Sequence, residues 1–374
     1  MFNQGALQKE SRTRPPQGDP YYPPAEDLCT LALLAESNEL HSSSSKQQGS
    51  GEENALSQGS LGRLENLAGA RPQGYWSELL RCALALDLMS CNAQRWSVTN
   101  HNAEILGATQ SECFPALMAV WLSQPKWLGE LLELSGLELS TKHSSPNLSM
   151  ALLQFLGVFE PDAWYSVSSM EVMVESVMAH LGHHQVDEVR EVLTELLLTR
   201  AFGVLGCCEF NAKTSSFRVL SQLSLPPISR LDASLRDAIQ DKISLRSRAE
   251  AYRTLIARKL SENTAWTQVN EQLVKFQEAR RDRNASDSCI MLRVDHLQIA
   301  TSPKIPFRDC LYLARFGRLV AHQKKQRGCY TFELNRATLK HKALDEFSGF
   351  LSERCNNTEA ASIVCDLMKA ASKP

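Results

Sequence analysis

The stretch Cys329-Tyr330-Thr331-Phe332-Glu333-Leu334 alternates polar and large apolar residues with a period of two. A helix cannot keep that pattern on one face, so a half-buried strand is required there. The flanking sequence, from Cys289 to Cys355, reads as one strand–helix–strand–helix unit. Ile290–Val294 and Leu297–Ala300 form either a short strand pair or one bent strand. Pro303 and Pro306 close that segment, because proline cannot donate to a sheet ladder yet fits the first turn of a helix. The spacing of Phe307, Leu311, Ala314, Phe316 and Leu319 predicts a helix over Phe307–Leu319, with Arg308, Arg315 and Arg318 turned outward. A polar turn at Gln323–Gly328 carries Lys324, Lys325 and Arg327 into the strand, and Asn335 can cap a short helix from Arg336.

Order and content of this region, with Asp295 in a strand, Ala314–Val320 (ARFGRLV), Tyr330–Lys340 (YTFELNRATLK) and Phe347–Cys355 (FSGFLSERC), resemble the small N-terminal domain of XPB-type helicases. A related domain occurs in a core TFIIH subunit and in bacterial helicase-associated proteins that carry winged-helix units upstream. The resemblance extends loosely over Ala25–Met368. It implies a protein that accompanies an XPB-like helicase, with Ala314–Val320 and Tyr330–Lys340 as docking or DNA-proximal positions. The segment Lys340–Glu346 is shorter than the helix–turn usual in the relatives, and the final helix, Glu359–Ala371, lacks their tryptophan.

Upstream, residues 1–24 are proline-rich and polar and read as a disordered arm. Ala25–Leu34 is a strand or short helix, and the Ser/Gln/Gly-rich segment 41–59 is a flexible loop. A helix from Tyr75 to near Met89 precedes a turn at Cys91–Arg95 and a strand at Trp96–Thr99. Helices follow at Phe114–Leu122 and Trp127–Leu134, with Trp121 and Trp127 as core anchors. These elements make a first winged-helix-like domain over 25–140. A second, over 147–225, has helices at Leu148–Phe155 and Ser168–Leu181 and a third along the stripe Val186, Val189, Val192, Leu193, Leu196 and Leu197. A hairpin closes it, with strands Val204–Phe210 and Ser216–Leu220, whose wing cations are Lys213 and Arg218. Residues 229–285 form a charged helical linker into the domain at 289–374. The expected class is therefore α+β and mainly helical: tandem winged-helix units, a helical linker and a small C-terminal α/β domain.

Charge separates the two ends of the chain. Residues 1–225 hold 14 Lys and Arg against 25 Asp and Glu, whereas residues 289–374 hold 14 against 8. Phosphate attraction follows local charge, so DNA contact belongs in the C-terminal third. Candidate DNA-binding or docking residues are Arg308, Arg315, Arg318, Lys324, Lys325, Arg327, Tyr330, Arg336 and Lys340. The third helix of the second winged unit is acidic at Asp187, Glu188, Glu191 and Glu195, which phosphate repels, so these units fit scaffolding or protein binding better than groove reading.

Catalytic and cofactor signatures are missing. The sequence holds no G-x-x-x-x-G-K-[ST], H-E-x-x-H, G-x-S-x-G or G-x-G-x-x-G, so neither an enzyme nor a cofactor is expected. His180, His183 and His184, with Cys207 and Cys208, lack the four convergent ligands of a zinc site and suit a helix end instead. Eleven cysteines without a C-x-x-C pair fit thiols in a reducing compartment, and no apolar run reaches membrane-spanning length. The expectation is a non-catalytic, cytoplasmic, helicase-associated accessory protein that binds DNA in repair or duplex remodelling. The alternative is an adaptor that docks an XPB-like ATPase without touching DNA.

Overall fold

The computed structural model describes residues 23–43, 56–99, 106–107, 110–137, 159–180, 189–220, 290–293, 297–303, 305–322, 329–334, 341–355 and 357–371, with positions 152 and 156 besides. The arm through residue 22, most of the 41–59 loop, the 229–285 linker and the helix start expected at Arg336 lie outside these residues. Over the described residues, helices and three antiparallel sheets share the chain, an α+β arrangement. No described helix is long and apolar enough to cross a membrane. The chain divides into two compact units.

The sheet unit gathers Ala25–Arg71, Ala83–Ala108 and Val269–Pro374. Residues expected to open the first winged-helix unit thus share a unit with the C-terminal residues. Helix α1, Pro24–Glu36, is apolar all round between Leu28 and Ala35 apart from buried Thr30, and Leu28, Leu31, Ala32, Leu33 and Leu34 are each at most 2% exposed. A helix without a polar face has to be wrapped, and this one is. Buried Asp27 accepts two hydrogen bonds from Arg71, at 2.8 and 2.9 Å. The helix ends at Asn38, whose φ of 58° is left-handed; its N–H donates to the Ala35 carbonyl and that of Glu39 to the Leu34 carbonyl. This is a Schellman turn with asparagine in the usual glycine position. Helix α2, Gln58–Ala68, begins inside the expected loop because Ser57 caps it, its hydroxyl accepting from the Ser60 N–H.

Strands β1, Met89–Asn92, and β2, Arg95–Val98, form a hairpin. Its two turn residues, Ala93 and Gln94, both have positive φ, as a two-residue hairpin with the favoured twist demands. The helix expected to reach Met89 stops earlier: α3 spans Tyr75–Ala85, and Leu88 and Met89 already lead into the hairpin.

Four strands make the main sheet of this unit, in the order β6-β7-β9-β8. They are β6, Ile290–Arg293, β7, Gln298–Thr301, β8, Gly317–His322, and β9, Tyr330–Leu334. The first two are a separate antiparallel pair and not one bent strand. In β9 the alternation holds: Tyr330, Phe332 and Leu334 are buried, and Glu333 is exposed. Helix α8, Phe307–Ala314, corrects the expected Phe307–Leu319. Phe316 and Leu319 are buried as the helical stripe required, but Leu319 lies on β8 opposite Phe332. Gly317 permits the switch, because a Cβ there would sit 2.9 Å from the Glu333 carbonyl oxygen. Helices α9, His341–Arg354, and α10, Thr358–Ala371, pack on each other, and the ring of Phe347 in α9 meets that of Phe316 at 4.8 Å, tilted by 43°.

The helix-hairpin unit gathers Met1–Pro24, Pro72–Cys82 and Thr109–Gln268. Beyond the start of α3 it contains α4, Gln110–Ser123, and α5, Pro125–Leu134. Trp121 and Trp127 are fully buried and meet edge to face at 4.9 Å. Strand β3, Trp164–Ser166, leads directly into α6, Val167–His180. Helix α7, Arg190–Leu196, continues through a wider π turn at Leu197–Phe202 and a last turn at Gly203–Leu205. Val204 and Leu205, expected in the first hairpin strand, therefore finish the helix. Gly206 stops it with a φ of 74°, in a place where a Cβ would collide with the Gln110 amide. Strands β4, Cys208–Asn211, and β5, Ser216–Val219, form the expected hairpin, and β3 adds a third strand to β5. Val192 departs from its predicted stripe and is 49% exposed.

Candidate nucleic-acid interface

Two of the expected cations, Arg315 and Arg318, come together at the junction of α8 and β8. Arg315 is the C-cap of α8, and Arg318 is the second residue of β8, facing outward while Leu319 turns in. Each donates its Nε–H to a carboxylate at the end of α1: Arg315 to Glu36 Oε2 at 2.9 Å, Arg318 to Glu39 Oε2 at 3.2 Å. The arginines lie three positions apart and so do the glutamates, so the bonds form two rungs between the same pair of segments. The Schellman turn is what brings Glu39 round to continue from Glu36.

A third arginine anchors the rungs from below. Arg63 of α2 donates Nε–H to the same Glu39 oxygen at 2.6 Å, and its Nη2 donates to the Leu319 carbonyl of β8. Its side chain is mostly buried, and α2 packs on β8 there. The exposures sort the roles. Side chains of Glu36 and Glu39 are 13% and 18% exposed, whereas those of Arg315 and Arg318 are 56% and 58% exposed. Carboxylates sit inside and guanidinium groups outside. Glu333, exposed on β9 and paired in register with Arg318, adds a third carboxylate beside the three arginines, and more than half of each outer arginine side chain remains open to solvent.

The other expected residues are placed differently. Arg308 is exposed on the first turn of α8, 3.8 Å from Asp309, whose second oxygen accepts from Arg354 at 3.0 Å. Tyr330 is only 3% exposed, stacks on His322 at 4.9 Å, and exchanges hydrogen bonds with the Thr301 hydroxyl through its backbone. Burial, with Cys29, Cys310 and Glu26 nearby, pushes its phenol well above the usual range. It braces the sheet core and offers no ring to a base. Lys324, Lys325, Arg327, Arg336 and Lys340 lie outside the described residues.

Of the wing candidates, Lys213 is exposed in the β4–β5 turn. Arg218 is engaged within its hairpin, bonding Glu209 at 2.6 Å and lying 5.3 Å over the Trp164 ring. Cys207 and Cys208 are buried, and burial raises both thiols far above their usual range. Among the described residues no group of His, Cys, Asp and Glu is placed to hold a metal ion.

Sequence reasoning missed Glu36, Glu39 and Arg63. Both ion-pair rungs span 279 residues of sequence, a separation at which no local pattern speaks. Only the matched spacing of Glu36/Glu39 and Arg315/Arg318 hinted at it. Comparison with protein-family models, with curated proteins and with solved structures finds no match.

Proposed function

We propose that this chain is a non-catalytic, helicase-associated accessory protein, cytoplasmic, that binds DNA during repair or duplex remodelling. On this reading the hairpins β1–β2 and β4–β5 are the wings of tandem winged-helix units, and an XPB-like ATPase is the partner that supplies the motor. The observation that supports DNA contact is the outward-facing Arg315 and Arg318 pair, over half exposed and held by half-buried carboxylates. Convergent guanidinium groups are suited to phosphate, and affinity from such contacts falls as salt displaces them.

The test is fluorescence anisotropy of a labelled forked duplex titrated with the full chain at low and moderate salt. Expected is an affinity that declines steeply with salt and drops in the double variant Arg315→Ala/Arg318→Ala. An affinity absent at both salt concentrations refutes the DNA reading.

One observation favours the adaptor alternative. Helix α7 exposes Glu191, Val192 and Glu195, and in a groove-reading winged helix the equivalent helix meets phosphate. An acidic, partly apolar face fits a protein partner instead. Recovery of a helicase with the tagged full chain, together with absent DNA affinity, would make that reading the better one.

A further inference from the structure

Resting on the DNA reading above, we propose that Glu36 and Glu39 act as braces that make the phosphate site specific for arginine and closed to lysine. A guanidinium carries five N–H donors in a fixed plane, arranged so that its Nε side and its Nη edge can serve different partners. In Arg315 and Arg318 the Nε–H is committed to a carboxylate, at 2.9 and 3.2 Å. The Nη groups are then left in a known orientation, and the fork they present matches the oxygens of a phosphodiester.

Arg63 shows what a fully committed guanidinium looks like in the same cluster. It spends Nε on Glu39 and Nη2 on the Leu319 carbonyl, and it is largely buried. Among the described residues, the outer pair makes the first of these two commitments and not the second. Holding the side chains beforehand also spares part of the rotamer entropy that a free surface arginine loses on binding.

Lysine cannot divide itself in this way. It has one nitrogen, a compact point charge on a flexible stem. With Glu36 and Glu39 at the base of the site, that ammonium settles on the carboxylates and leaves phosphate uncontacted. A surface that worked by charge alone would accept the replacement.

The two accounts separate in one experiment on the full chain with the labelled forked duplex. Wild type, Arg315→Lys/Arg318→Lys and Arg315→Ala/Arg318→Ala are compared over a range of salt, with urea unfolding of each as a check that the fold persists. Expected is a loss of about tenfold or more in the lysine variant, close to that in the alanine variant, the scale of one charge-assisted hydrogen bond. The salt slope should also fall in both, by roughly two for two lost phosphate contacts. A lysine variant that binds like wild type while the alanine variant is weakened overturns the brace and leaves the DNA reading standing. Equal affinity for all three overturns the brace and moves the contact elsewhere on the chain. A wild-type chain without affinity overturns both.

A second variant guards against misfolding as the cause. Glu36→Ala removes one brace and one negative charge, and leaves the Arg63–Glu39 anchor in place. The brace requires weaker binding despite the gain in net positive charge. Unchanged or tighter binding would show the carboxylate to be a screen, and the proposal would fail.

Discussion

Gly317 sits where α8 gives way to β8, two residues after Arg315 and one before Arg318, and its replacement tests the strand assignment directly. A Cβ built there lies 2.9 Å from the Glu333 carbonyl oxygen and 3.4 Å from the Phe332 Cβ. Gly317 pairs with Leu334, and Arg318 with Glu333, so the obstacle is the backbone of the neighbouring strand and not a side chain that can swing away. Overpacking of this kind costs about 1–3 kcal/mol. Alanine also restricts the unfolded chain, which returns about 0.4–1 kcal/mol. Mid-range values leave a net loss of about 1.3 kcal/mol, equivalent to roughly ninefold faster opening of the β8–β9 ladder. Hydrogen exchange read by mass spectrometry at the amides of Arg318 and Glu333, which face each other across that ladder, measures it. Gly317→Ala should speed both. Exchange as slow as in wild type, or slower, would refute the claim that the chain is already a paired strand at this position.

Gly349 supplies a control of opposite sign: it lies in α9, and a Cβ there meets nothing within 4 Å. Gly349→Ala should stabilise the helix by about 0.5–1 kcal/mol, seen as slower exchange across α9, and a loss of protection would contradict it. Glu78 of α3 is buried, and desolvation raises its carboxyl above the usual 4.5 even though Arg81 and Arg200 pull it down, with Glu130 adding to the rise. A carboxyl with a raised folded pKa binds its proton more tightly in the native state, so its contribution is complete below about pH 4.5 and is lost as pH climbs through the raised value. Glu78→Gln should therefore flatten the decline of thermal stability above pH 4.5; a variant and wild type that decline in parallel would show that Glu78 does not carry it.

Much of the local architecture was legible. Tyr330, Phe332 and Leu334 announced a strand by alternation, and Trp121 and Trp127 announced a core by size, because burial of one face leaves its period in the sequence. The boundary inside Phe307–Leu319 was not legible, since Phe316 and Leu319 satisfy a helical stripe and a strand face equally well. Two elements gave too little signal of their own. Strand β3 has three residues, and α2 starts among Ser, Gln and Gly, where the Ser57 hydroxyl caps it by accepting from the Ser60 N–H. The candidate site divided along the same line: Arg315 and Arg318 could be named as cations, but the carboxylates beneath them come from the other end of the chain. Tyr330, named with them, proved to be core, because an aromatic on an alternating strand belongs to whichever face the sheet buries.

Helix α1 has a consequence for how the protein is made. Its apolar surface on all sides is satisfied within a unit whose main sheet is encoded some 279 residues later, the span from Glu36 to Arg315. A ribosome adding about 5–20 residues per second needs roughly 15–60 s to cover that distance. For that interval the newly made helix has no finished sheet to enter, and its leucines are a target for chaperones or for neighbouring chains on the same messenger. Yield on expression should respond more to the pace of synthesis and to holdase supply than to the stability of the finished fold.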